Sequence, residues 1–183
     1  LLISKHNLAN RYQYLGQYNK SRSFYNEVLE LSAKLYNKYL EAGAYDGIAN
    51  CYFEEKNYEN AKRYFGDAKA IHLEMADSIE LSVSCINLGY IEEVQGNYGE
   101  ALAYYQQSED YLQEKGGLDA QFDLVRMLSD GYANVGDYEK ASEYYQKQTI
   151  LSDSLYDEGV VNAIEETEGK YQVKGLKQTQ LKQ

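Results

Sequence analysis

A spacing of forty residues constrains this chain more than any other feature. Leu8, Ile48, Leu88 and Leu128 fall in register, followed by Ala9, Ala49, Gly89 and Ser129, and then by Tyr18, Tyr58, Tyr98 and Tyr138. Ser21, Ala61, Ala101 and Ala141 continue the series, and Tyr25, Phe65, Tyr105 and Tyr145 close it. A chain that repeats itself at such a period builds a stack of similar units, each buried by its neighbours rather than around one central core. Within a unit the order is large apolar, small, aromatic, turn, aromatic, small, aromatic. Small residues let two helices approach closely, and the rings then fill the space between units.

These residues resemble the tetratricopeptide repeat, whose L-G pair, following aromatic and A-x3-F step read here as Leu8-Ala9, Tyr12, Ser21 and Tyr25. The second unit reads Ile48-Ala49, Tyr52, Ala61 and Phe65, and the fourth Leu128-Ser129, Tyr132, Ala141 and Tyr145; in the third, Glu92 replaces the first aromatic. The family's opening Trp and closing Pro are both missing, since the chain has neither residue. The resemblance covers residues 1 to about 158. It implies an all-α, right-handed superhelix of four helical hairpins, at 1–40, 41–80, 81–120 and 121–158, closed by a capping or linker helix over 159–183. The usual unit has thirty-four residues. The stretch from Leu8 through Tyr25 matches it, so the extra residues are expected after the second aromatic, lengthening each second helix by about two turns.

The turns repeat their chemistry too. Gly16, Gly96 and Gly136 suit helix C-caps in the left-handed conformation, and Lys56 breaks that series, which predicts a strained or differently shaped turn. Asn57, Asn97 and Asp137 suit N-caps, with Glu100 completing a capping box. Turns between units are expected at Glu41 to Gly43, Ala76 to Ser78, and Gly116-Gly117 with Leu118-Asp119.

Net charge is −11. Residues 1–40 are basic and residues 41–160 acidic, which disfavours nucleic acid and anionic lipid and favours a polar or basic partner. No run of apolar residues is long enough to span a membrane, so this piece makes no membrane contact of its own. Cys51 and Cys85 read as buried thiols. Only two histidines occur, His6 and His72, and neither has a metal-ligand partner at helical spacing. No G-x-S-x-G elbow, phosphate loop or nucleophile with a base is present. The expectation is a non-catalytic module with no metal and no cofactor.

Binding then needs a surface. If Leu8, Ala9 and Tyr12 face partner helices, His6, Asn10 and Gln13 share another face at i, i+4 and i+7. Their equivalents are Asp46, Asn50 and Phe53; Ile86, Tyr90 and Glu93; and Arg126, Asp130 and Ala133. The family resemblance implies that this face lines a concave groove for a protein or peptide segment. The family's carboxylate clamp needs Lys and Arg there, where this chain has His6 and Asp46, so a free acidic C-terminus is not the expected ligand.

A second resemblance rests on Asp153-Ser154-Leu155-Tyr156-Asp157-Glu158, Ile164-Glu165-Glu166 and Lys170-Tyr171-Gln172. It is similar to the segment closing the repeat array in tetratricopeptide sensor proteins of the Bacteroidetes type. This implies the ligand-sensing, extracytoplasmic input domain of a membrane-bound two-component sensor or regulator, such as a histidine kinase, dimeric through the parent protein. A cytoplasmic scaffold without signalling output is the alternative.

Overall fold

The computed structural model describes residues 1–113, 115–156 and 159. Among them are α1 (Leu2–Tyr14), α2 (Tyr18–Leu35), α3 (Lys38–Glu54), α4 (Tyr58–Glu74), α5 (Ser78–Val94), α6 (Tyr98–Leu112) and α7 (Leu118–Asn134), then α8 over 138–156. The described residues contain no strand. Each helix packs against the next, and the array is all-α. The expected capping helix over 159–183 lies outside the described residues apart from position 159.

Helices from α2 onward begin at intervals of twenty residues, so the forty-residue unit divides into halves of equal length. In the second unit α3 and α4 each have 17 residues. The extra residues therefore do not all lengthen the second helix, as the repeat spacing suggested. Successive helices are antiparallel, so a longer C-terminal end of one faces the N-terminal end of the next. Lengthening only one would leave its added turns without a partner.

The same arithmetic moves a turn. Glu41 to Gly43 lie inside α3, and the chain turns instead at Tyr36-Asn37. Tyr36, Lys56 and Ala76 have φ of 53°, 59° and 53°, matching the left-handed Gly16, Gly96 and Gly136. In each case the next residue's N–H closes back on a carbonyl five residues earlier, as in Asn37 to Ser32, Asn57 to Tyr52 and Asn97 to Glu92, all at 2.9 Å. One turn design thus serves both edges of the array. Among the described residues, Gln113 and Gly117 at the ends of α6 and α7 depart from it.

Asn37, Asn57 and Asp77 cap the following helices by accepting the N–H of Leu40, Asn60 and Glu80, and Asp137 accepts that of Lys140. Asn97 does not cap α6 and forms no capping box with Glu100, because its amide donates instead to Glu92 Oε2 at 2.9 Å. Lys56 keeps the shape of the glycine turns at the cost of a left-handed backbone, so its turn is strained and not differently shaped. Lys56→Gly is expected to raise stability by about 0.5–1 kcal/mol, read as a higher urea midpoint at unchanged slope. An unchanged or lower midpoint counts against strain there.

Within units the small residues lie where expected. Ser21 Oγ donates to the Ala9 carbonyl at 2.9 Å and Ser129 Oγ to the Ala141 carbonyl at 3.1 Å, each bridging the two helices of a hairpin. Ile48, Leu88 and Leu128 are buried, whereas Leu8 is 40 % exposed because no described residue packs before α1. Tyr145 at the other end is exposed for the corresponding reason, unlike Tyr25, Phe65 and Tyr105. Cys51 and Cys85 are buried free thiols, and Cys51 Sγ donates to Ser21 Oγ at 3.3 Å.

Candidate functional site

The first helices of the hairpins, α1, α3, α5 and α7, carry the candidate groove residues. Three neighbouring clefts open along them. His6 and Asp46 line the first with His72 and Glu80; Asn10 and Gln13 line the second with Tyr14, Tyr18 and Glu54. Asn50, Phe53 and Tyr90 line the third, together with Glu54, Phe65 and Asn87. The Phe53 and Tyr90 rings lie 5.5 Å apart, joining the second unit to the third. Seven of the eleven candidates thus border these clefts.

The other four do not. Ile86 packs against the buried cluster of α6 and α7. Glu93 accepts a 2.6 Å hydrogen bond from the buried Tyr105 hydroxyl. Arg126 stands between Asp123 and Asp130 of its own helix, at 3.9 and 3.7 Å, so the row's only cation is already balanced.

Some groove positions also hold the framework. The Tyr25 hydroxyl lies against Asn10 Oδ1 and is 2.9 Å from Gln13 Oε1. Gln13 and Glu93 occupy equivalent positions, and so do Tyr25 and Tyr105. In the second unit both places are Phe, at 53 and 65, and no hydrogen bond is needed. The Tyr25 and Tyr105 hydroxyls are met by acceptors, whereas Phe65 lies in an apolar cluster against which Phe53 packs. Those two hydroxyls donate to side-chain oxygens of the first helix. Tyr144 also donates to a side chain, Glu109 Oε2 at 2.7 Å. Burial pushes the Tyr25 and Tyr105 hydroxyls far above the ordinary phenol value, and the neighbouring Glu93 pushes Tyr105 further, so both remain donors at neutral pH.

Residues 1–74 match the tetratricopeptide repeat family. BtubC (BKLC) from P. vanneervenii has 17 % identity and a TM-score of 0.77, covering 85 % of this chain and 65 % of its own. The chain has the tetratricopeptide-repeat fold. A Rap protein complexed with competence and sporulation factor shares that fold at 19 % identity and a TM-score of 0.72, covering 86 % of this chain and 45 % of the other. The ycf37 protein of Cyanophora paradoxa is 28 % identical over 98 residues, 54 % of this chain and 56 % of that one. The chain therefore spans between about half and two thirds of the length of these relatives.

Seams between the tetratricopeptide units use one pair of positions in three chemistries. Arg22 stacks its guanidinium 4.5 Å from the Tyr52 ring centre and reaches Glu55 at 2.5 Å. Lys62 pairs with Glu92, whose residue is only 3 % exposed. Leu102 and Tyr132 lie in one buried apolar cluster. Glu92 is thus the answer to Lys62: it stands where Tyr12, Tyr52 and Tyr132 stack on Phe24, Tyr64 and Tyr144, at 5.4, 5.6 and 5.3 Å. Sequence spacing missed His72, Glu80 and Asn87 as cleft residues. His72 meets Asp46 across 26 positions of sequence, between helices, which spacing within one helix does not reveal. The only signal was that the chain's two histidines are so few.

Proposed function

We propose that this tetratricopeptide module binds an extended, polar or basic segment of a partner protein along the face of α1, α3 and α5. The cleft of Asn50, Phe53, Asn87 and Tyr90 carries the reading. Tyr90 is 46 % exposed while its ring meets Phe53, so an apolar platform faces solvent between two carboxamides. Carboxamides offer both donor and acceptor to a peptide backbone, and rings receive its side chains. The ligand-bound Rap protein of the same fold supports a ligand-taking role. The module itself needs no catalysis, metal or cofactor for this.

The test is a library of capped peptides of random sequence, screened against the wild type and Tyr90→Ala. Selected peptides are expected to bind Tyr90→Ala about tenfold or more weakly, as for a central aromatic anchor, with the thermal midpoint little changed. Equal binding to both proteins removes the groove from consideration.

The finer role we propose is the extracytoplasmic input domain of a membrane-bound sensor. Its support is the resemblance of Asp153 to Gln172, of which 157–158 and 160–172 lie outside the described residues. No helix among the described residues is long and apolar enough to cross a membrane, so an anchor would lie outside the described residues. Fractionation of that full-length protein with protease accessibility is decisive. A membrane-bound protein with repeats facing outward supports the sensor, and repeats in the cytoplasm leave a scaffold.

A further inference from the structure

Both histidines of the chain meet in one place. His6 of α1 and His72 of α4 line a cleft of about 100 Å³ with Gly43 and Asp46 of α3 and Glu80 of α5. His72 is 3 % exposed, and its Nε2 lies 3.3 Å from Asp46 Oδ2. Among the described residues, three buried side-chain polar atoms have no hydrogen-bond partner in the protein: His6 Nδ1, Asp46 Oδ1 and His72 Nδ1. All three belong to residues of this cleft. A Cβ at Gly43 would stand 3.3 Å from His6 Cε1, so the absence of a side chain there gives the imidazole its room.

The chemistry of those atoms selects a ligand. With Asp46 accepting the Nε2 proton, the neutral His72 ring presents a lone pair at Nδ1. Asp46 Oδ1 is an acceptor as well, and Glu80 adds a second carboxylate to the lining. An anion would meet two negative charges, and a hydrocarbon would leave buried polar atoms unpaired. No group of three His, Cys, Asp or Glu among the described residues is arranged to hold a metal ion. A compact cation with several N–H donors satisfies both the charge and the hydrogen bonds.

We propose that this cleft is an anchor for the head of a lysine or arginine side chain carried by the segment bound in the groove. The inference rests on the groove reading above. Asn10 lies one helical turn beyond His6, and Asn50 one turn beyond Asp46. A backbone held by those asparagines therefore passes within reach of the cleft.

Binding is coupled to a proton. Burial lowers the His72 pKa, but the hydrogen bond to Asp46 and the charges of Asp46, Glu80 and Asp77 together raise it above the ordinary histidine value. His6, facing from α1, is lowered by burial. A protonated His72 repels an incoming cation, so affinity rises with pH through the His72 titration and is flat above it. By linkage, saturation with a cation lowers the His72 pKa.

Because the chain has two histidines and both lie here, its imidazole NMR spectrum reports on this cleft alone. The labelled protein is titrated with acetyl-arginine amide, acetyl-lysine amide and acetyl-norleucine amide at pH 8 and at pH 5.5. Both ring signals are expected to shift saturably with the two cations and not with norleucine, with affinity weaker at the lower pH. Asp46→Asn is expected to weaken binding about tenfold, as for loss of a hydrogen bond to a charged group, and Glu80→Gln less; the second variant keeps the test valid if the first fails to fold. Rings that show no saturable shift with either cation up to about 0.1 M, or that respond equally to norleucine, overturn the anchor. The groove is judged separately. Library peptides that depend on Tyr90 yet show no preference for a basic residue keep the groove and overturn the anchor. Ring shifts with arginine amide in a protein that selects no peptide keep the cleft and overturn the groove.

Discussion

Gly47→Ala is expected to cost about 2–3 kcal/mol. A Cβ on Gly47 of α3 would lie 2.1 Å from Tyr25 Cζ and 2.5 Å from both Cε atoms. The ring cannot retreat: Tyr25 is 1 % exposed, its hydroxyl lies against Asn10 and Gln13, and the His6 ring packs edge-on at 5.6 Å. Either α3 moves away from α2 or Tyr25 abandons its hydrogen bonds. The thermal midpoint should fall by roughly 5–10 °C for a chain of this size. Adding Tyr25→Ala should make the Gly47 substitution nearly neutral relative to Tyr25→Ala alone, since the clash disappears with the ring. Full additivity of the two losses would mean that close packing at Gly47 is not the cause.

The second expectation concerns the seam between the second and third units. Lys62→Leu leaves the Glu92 carboxylate in a nearly closed site with only the Asn97 amide as partner. Removing one side of a buried pair costs about 3–5 kcal/mol; Lys62 is itself half-exposed, which reduces the expected loss to about 2–3 kcal/mol. Glu92→Tyr alone sets a ring beside the lysine, as Tyr52 stands beside Arg22 in the preceding seam, and is expected to cost less than Lys62→Leu. The double variant recreates the Leu102–Tyr132 pairing of the following seam and should recover most of the stability, a coupling of about 2 kcal/mol in a double-mutant cycle. Losses that simply add would show that the two positions do not form a matched pair. The acid response provides a second readout. Burial raises the Glu92 pKa, but the Lys62 and Asn97 hydrogen bonds and the Lys62 charge outweigh it and hold the carboxyl below its ordinary value. Its stabilising effect is complete above the unfolded carboxyl's pKa and fades as pH falls through the folded value. The double variant, lacking the carboxylate, should lose that component of acid sensitivity.

The repeat was legible because it is written in residue types whose size matters at each contact. Ala9, Ala49, Gly89 and Ser129 mark the close approach of two helices, and Gly16, Gly96 and Gly136 mark a backbone that other residues adopt only under strain. The turn at Tyr36-Asn37 was hidden for the same reason. Tyr36 adopts the glycine conformation without being glycine, whereas the nearby Gly43 lies inside α3, where it makes room for His6. Read at twenty residues instead of forty, Gly16-Gln17, Tyr36-Asn37, Lys56-Asn57 and Ala76-Asp77 would have shown the shorter period. The groove was legible as a set of positions but not as a set of roles. Helical spacing placed Asn10, Gln13 and Glu93 on the first-helix face, yet only the structure shows that framework tyrosines use them. Contacts between helices, such as His72 with Asp46 or Lys62 with Glu92, depend on how the units stack, which one helix's periodicity does not encode.

The three seams also give the array an uneven stiffness. A stacked cation–ring pair, an ion pair and an apolar cluster answer to different variables of the solvent. Acid, by protonating Glu92, relaxes the Lys62–Glu92 seam and leaves the Leu102–Tyr132 seam almost untouched. In acid the weakest seam of the array is then the one between α4 and α5. The cleft of Asn50, Phe53, Asn87 and Tyr90 straddles that same seam. A fall in pH that protonates Glu92 would therefore loosen the array at the centre of this groove before any helix unfolds.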